Sequence, residues 1–182
     1  GGHGFIGIGR KKLLNILQER CQSLGVELVF DTLVEDEEGL LERYQADLVI
    51  ASDGIHSRIR TRYQPVFQPD IDNRQCRFVW LGTRKVFEAF TFLFAESPHG
   101  WFQVHAYQFE PGLSTFIVET TEETWKAAGL DEMSQEEGIA YCEKLFAPWL
   151  DGQPLMSNAA HLRGAAIWIR FPRVICQNWV HW

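Results

Sequence analysis

The sequence predicts an α+β fold, with a partial parallel α/β piece joined to an antiparallel sheet with helices. Three observations predict it. A helix, a strand, a connection and a continuous apolar strand follow one another in the first third of the chain. From about Arg77 the pattern changes to four strand-like runs separated by turn residues. Two helical stretches and a last apolar run come after them. This order of elements places the boundary between two regions, 1–76 and 77–182.

Each element has a local reason. Leu13, Leu14, Ile16, Leu17, Cys21 and Leu24 recur at helical spacing, opposite Lys11, Lys12, Gln18, Glu19 and Arg20, which gives a helix from about Arg10 to Leu24. Gly25 is placed to stop it. Val26 to Phe30 reads as a strand, and Glu35, Asp36, Glu37 and Glu38 as an acidic turn. Ala46 to Ala51 is a short apolar run, the kind buried on both faces of a parallel sheet. Phe78 to Thr83, Phe90 to Glu96, Trp101 to Phe109 and Ser114 to Glu119 form an antiparallel meander, with turns at Pro98-His99-Gly100 and Pro111-Gly112. Helices follow near Glu122 to Ala128 and Gln135 to Phe146, the second opened by Ser134 and Glu137 at capping-box spacing. Ile167 to Phe171 returns as one more strand.

Composition excludes several classes. The 182 residues are 46% hydrophobic, far from the disordered regime. The length allows one large domain or two small ones. The 24 acidic against 17 basic residues give a net charge of −7, which argues against nucleic acid or an anionic membrane as partner. No apolar run approaches the roughly 18 residues of a membrane helix, and the start does not read as a signal peptide. Cys21, Cys76, Cys142 and Cys176 lie far apart and read as reduced thiols of a cytoplasmic protein, with a secreted two-disulfide domain as the alternative. Histidines and carboxylates do not cluster at metal spacing, and neither G-x-S-x-G nor a Cys/His nucleophile pair is present. The termini, Gly1-Gly2-His3 and Trp179-Val180-His181-Trp182, point to an excised fragment.

Four stretches are candidates for chemistry. Gly2-His3-Gly4-Phe5-Ile6-Gly7 matches G-x-G-x-x-G, but a dinucleotide fingerprint needs a strand just before it, so the segment reads better as extended chain packed closely on a neighbour. Asp47 to Arg60 runs from a strand through Asp53-Gly54 into a helical turn begun by Ser57. Asp53 would stand at a strand's carboxyl end, where ligands bind, Gly54 would allow close backbone approach, and Arg58 and Arg60 offer positive charge. The alternative is a plain junction in which Asp53 caps the next turn. In Trp101 to Phe109, alternation puts Phe102, Val104 and Ala106 on one face and Gln103, His105 and Tyr107 on the other. His105 and Tyr107 would orient a ring hydroxyl or amine, or His105 would act as a base. Against this stands a solvent-facing strand surface, the usual meaning of such alternation. His161 and Arg163 are cleft candidates in a segment that reads better as a surface loop. Trp80, Phe90, Phe92, Phe94, Trp101, Trp168 and Trp179 are mostly core aromatics.

Asp47 to Arg60 resembles the Asp-Gly motif of FAD-dependent aromatic-ring monooxygenases, the p-hydroxybenzoate hydroxylase class. Gly7-Ile8-Gly9-Arg10 with Leu13, Leu14 and Leu17 resembles that family's other marker, in which an Arg opens a helix and touches FAD. The likeness covers the whole chain. Through Gly2 to Cys21, Arg77 to Arg84 and Ser134 to Gly138 it is closest to the branch of salicylyl-CoA 5-hydroxylase and 2-aminobenzoyl-CoA monooxygenase. A violacein-pathway tryptophan hydroxylase looks more distant. His56 departs from the family, where Asp or Asn is common.

The resemblance implies that NAD(P)H reduces FAD, that the reduced flavin activates O2, and that one oxygen passes to an electron-rich ring, here of an aromatic acyl-CoA. It assigns Arg10, Asp53 and Gly54 to cofactor binding and the region from Arg77 to the substrate cover. A coenzyme A tail would find Arg58, Arg60, Arg62, Arg84, Lys85 or Arg163. The family's first glycine motif would precede Gly1 and its flavin-ribityl segment would follow Trp182. The isolated chain is therefore expected neither to retain flavin nor to hydroxylate. The rival reading is a non-enzymatic α+β ligand-binding or interaction module. Exposed edges and aromatics would also favour self-association.

Overall fold

The structure is a computed structural model that describes residues 4–35, 37–157 and 168–182. Gly2, His3, Asp36, His161, Arg163 and Ile167 lie outside the described residues. Along the chain the elements are α1 (Arg10–Ser23), α2 (Glu37–Tyr44), α3 (Arg58–Arg62), α4 (Gln64–Phe67), β1 (Pro69–Asn73), β2 (Arg77–Thr83), β3 (Thr91–Ser97), β4 (Gly100–Glu110), β5 (Leu113–Thr120), α5 (Glu122–Ala127), α6 (Gln135–Leu150), β6 (Leu155–Ser157) and β7 (Pro172–Cys176). They fall into two compact units, Gly1–Leu13 with Asn73–Phe171, and Leu14–Asp72 with Pro172–Trp182.

The first unit holds a five-stranded sheet in the order β3-β4-β5-β2-β6, with antiparallel neighbours throughout. The meander is as expected. Val104 lies between Leu93 and Val118, and Ala106 between Thr91 and Phe116. Phe102, Val104, Ala106, Phe116 and Val118 are fully buried on one face, packed with Cys142, Phe146 and Leu150 of α6. Burial pushes the Cys142 thiol up to about 12, so it behaves as a small apolar group. The four cysteines are unpaired.

Helix α6 starts where its capping box predicts. The Glu137 N–H donates to Ser134 Oγ at 3.2 Å, and the Ser134 N–H donates to Glu137 Oε2 at 2.8 Å. It runs beyond the expected Phe146 to Leu150, although Pro148 lies inside it. Proline breaks one bond of the last turn, and burial of Leu150 outweighs that loss. Strand β6, unforeseen, extends the sheet beside Leu81–Thr83. Ile169 does not continue a strand but forms an isolated bridge with Phe78.

Arg77, Lys126 and Arg170 converge on Glu122. Arg77 Nη2 and Lys126 Nζ lie 3.3 Å from Glu122 Oε1, and Arg170 Nη2 pairs with Oε2. Chiefly through the Arg170 hydrogen bond, this holds the Glu122 carboxyl at about 2.

The second unit corrects the expectation of a parallel α/β piece. Neither Val26 to Phe30 nor Ala46 to Ala51 is a strand, and Val29, Phe30, Leu48 and Ile50 are exposed. A strand needs a neighbour to take its backbone groups, and among the described residues these segments have none. The unit's sheet is instead the pair β1–β7. The acidic run is no turn: Glu37 and Glu38 open α2, where the helix dipole favours carboxylates, and Arg62 Nη1 reaches Glu37 at 2.9 Å. Every buried apolar side chain among the described residues belongs to the first unit. No helix of the described residues is long and apolar enough to cross a membrane.

Phe146→Ala should cost about 3–5 kcal/mol in urea unfolding of the first unit, whereas Leu17→Ala, on an exposed side chain, should stay within about 0.5 kcal/mol. The depressed Glu122 pKa adds stability above its ordinary value of 4.5, which is lost as pH falls toward about 2. Glu122→Gln should flatten the unfolding profile in that window.

Candidate functional site

Pleating gives the sheet a second face. By register, one row across it is Phe92, His105, Ile117 and Trp80, and the next is Phe94, Gln103, Glu119 and Phe78. Phe92, Phe94, Trp80 and Trp101 are each about half exposed. An outer sheet face is ordinarily polar, so a continuous aromatic surface there marks a place for a ligand or partner.

A polar line crosses it. Gln103 Nε2 donates to Glu119 Oε2 at 2.6 Å, and His105 Nε2 lies 4.0 Å from the same oxygen and 3.4 Å from Gln103 Nε2. The Glu119 side chain keeps 17% of its surface exposed and that of His105 28%, so both are held but reachable. Burial first, then the charge of Glu119, pushes the Cys76 thiol up and keeps it protonated beside this carboxylate.

His105 and Tyr107 are brought together through aromatic neighbours. Phe90 stacks on Tyr107 with centroids 5.2 Å apart, and Phe92 meets His105 edge-on at 4.9 Å. Phe5 closes over Phe90 and Tyr107 at 4.8 and 5.3 Å. The result is an aromatic wall with an imidazole, a phenol and a carboxylate, able to hold a flat ring and to accept a proton from it. Neither Glu119 nor Gln103 is assigned a role by sequence reasoning. The available signal is an acidic residue two positions from Ile117 on one half-buried strand face.

The glycine segment seats Phe5. Gly7 lies on β4 where the ladder slips between Gln108 and Glu110, and a Cβ there would collide with the Gln108 carbonyl oxygen. A Cβ on Gly9 would come within 2.9 Å of Glu110 Oε1. Close packing on the protein's own sheet explains these glycines. Arg10 is the first residue of α1, with the Gly9 carbonyl accepting from the Leu13 N–H at 3.1 Å. Its side chain is exposed.

Asp53 and Gly54 belong to the second unit and Arg10 to the first. Asp53 Oδ2 accepts from the N–H groups of Arg58 at 2.8 Å and Ile59 at 3.3 Å, at the start of α3. Partial burial raises its pKa, but hydrogen bonds from Ser57, Ile59 and Arg58 more than offset this, and the carboxyl lies below its usual range. Gly54 has φ +80°, and a Cβ there would meet nothing within 4 Å, so conformation calls for glycine and the space beside it is open. Arg60 donates to the Ile55 carbonyl, Arg62 pairs with Glu37, and Lys85 pairs with Asp151. Among the described residues, no group of three or more His, Cys, Asp or Glu gathers to hold a metal.

No protein-family model matches the chain. It is 37% identical over 187 residues to a salicyloyl-CoA 5-hydroxylase of a Streptomyces species, covering 98% of this chain and 34% of the relative. It is 33% identical to the protodeoxyviolaceinate monooxygenase of Chromobacterium violaceum, over 84% of this chain and 40% of the relative. A Streptosporangium sibiricum 5-monooxygenase of 3-hydroxy-4-methyl-anthranilyl on an aryl-carrier protein is 30% identical, over 93% and 41%. The chain thus spans between a third and somewhat over two fifths of the length of these relatives. All three are oxygenases of aromatic substrates, and their likeness to this chain supports an aromatic monooxygenase family.

Gly7→Val should push Phe5 off Phe90 and Tyr107 and cost about 1–3 kcal/mol, as overpacking does. Thermal unfolding and Tyr107 ring shifts in NMR would both register it.

Proposed function

We propose that this chain is a segment of an FAD-dependent aromatic monooxygenase that hydroxylates an aromatic ring, carried as an acyl-CoA thioester, with O2 and NAD(P)H. The observation that supports the reading best is the outer sheet face, where an aromatic wall surrounds the Gln103–Glu119–His105 line. FAD, when bound and reduced, supplies the oxygen-transfer chemistry. In the first unit the exposed guanidinium of Arg10 suits an anionic diphosphate, and in the second unit, taken by itself, the open backbone at Gly54 allows close approach of a cofactor. Asp53, committed to the N–H groups of α3, holds the turn that presents Gly54.

The substrate ring lies flat against the exposed ring of Phe92. Tyr107 donates to a ring oxygen or nitrogen. His105 takes the proton of a ring hydroxyl, which raises the ring's electron density, and Glu119 stabilises the resulting imidazolium. Phe5, Phe92 and Trp80 keep water from the ring.

The test uses the longer polypeptide that carries this segment, with salicyloyl-CoA as probe. It should purify with flavin, and Arg10→Ala or Asp53→Ala should lower the flavin content. His105→Ala should reduce kcat/KM about 10²-fold or more, and Tyr107→Phe should mainly raise KM. The isolated chain should purify without flavin and leave the probe unchanged. A flavin-free longer polypeptide, or turnover untouched by His105→Ala and Tyr107→Phe, would refute the reading.

A further inference from the structure

We propose that Arg77, Arg170 and Trp125 form a binding site for a phosphate dianion, the terminal group of a phosphate monoester. The sheet brings the two arginines together. Phe78 and Ile169 form an antiparallel bridge, with N–H···O distances of 2.9 and 2.8 Å. Arg77 precedes Phe78 and Arg170 follows Ile169, so the two guanidiniums share one end of that bridge. Like charges placed opposite each other repel. Both pair with Glu122, which also takes Lys126. Three cations around one carboxylate leave a surplus of two positive charges.

The donors are surplus as well. Arg77 Nε, Arg170 Nε and Trp125 Nε1 are all buried and, among the described residues, have no hydrogen-bond partner. Buried N–H groups are seldom left unpaired, and three around one cluster call for an acceptor with several oxygens. Two guanidinium groups and an indole N–H suit a tetrahedral oxyanion. Charge balance favours a dianion, because a carboxylate would leave one positive charge uncompensated.

Trp125 packs on the cluster and also borders a neighbouring cavity. Its ring lies 4.3 Å from the Arg77 guanidinium carbon and so steadies it. The same side chain lines a cavity of about 330 Å3 with Val79, Leu130, Asp131, Met133 and Trp168, and neither arginine lines it. The site uses no residue of the outer sheet face and stands apart from the oxygenation reading.

Inorganic phosphate, titrated into the whole chain at constant ionic strength and followed by calorimetry, tests this. One saturable site is expected, with acetate at least about tenfold weaker. Arg77→Gln and Arg170→Gln should each weaken phosphate by at least about tenfold, the loss of a charge-assisted hydrogen bond. Lys144→Gln, on the exposed side of α6, should bind as wild type. Arg77→Lys keeps the charge, loses the Nε donor and should lie between. Thermal unfolding of each variant separates lost binding from lost fold, and phosphate should raise the wild-type midpoint but not that of Arg170→Gln. Non-saturable binding, equal affinity for acetate, or a folded Arg77→Lys and Arg170→Gln pair that bind like wild type would each overturn the site.

Discussion

The two-residue repeat of a pleated strand governs this molecule. In β4 it sends Phe102, Val104 and Ala106 into complete burial and leaves Gln103, His105 and Tyr107 on the opposite face. Neighbouring strands keep that phase, since Val104 stands between Leu93 and Val118 while His105 stands between Phe92 and Ile117. A slip of one residue would exchange the two faces. Helix α6 depends on the same phase, because Phe146 and Leu150 have a surface to cover only while Phe116 and Val118 point toward them.

The two faces use apolar side chains differently. On the inner face they are withdrawn from water and contribute stability. On the outer face Phe92, Phe94, Trp80 and Trp101 stay about half exposed, which costs free energy unless something lies on them. The irregularity between Gln108 and Glu110 matters here. Where the ladder slips, Gly7 settles onto β4 and carries Phe5 across to Phe90 and Tyr107. A defect at one end of the sheet thus builds one wall of the aromatic site.

What the sequence could show follows from how far each signal reaches. The meander and the α6 capping box were legible because alternation and the Ser134–Glu137 spacing act within a few residues. Ala46 to Ala51 misled because apolar composition alone does not provide the strands that would flank it. Strand β1, Pro-Asp-Ile-Asp-Asn, has the composition of a turn, and only its distant partner β7 makes it a strand. His105 and Tyr107 were visible as a polar strand face, but Glu119 gains meaning only from the register that sets it beside Gln103. Asp53 carried two readings in the sequence. Its bonds to Arg58 and Ile59 show the capping geometry.

The pairing of β1 with β7, reinforced by Arg173 on Asp70 at 2.7 Å, joins segments about 100 residues apart. The two units alternate along the chain, each built from two separate segments. At roughly 5–20 residues per second, β1 leaves the ribosome about 5–20 s before its partner. During that interval the five-stranded sheet that lies between β1 and β7 in the chain, whose strand contacts are mostly between sequence neighbours, has time to form, while β1 waits with an open edge. The order of assembly on the ribosome is then from the inside of the chain outward, and the interval is one in which a chaperone would find β1 unpaired.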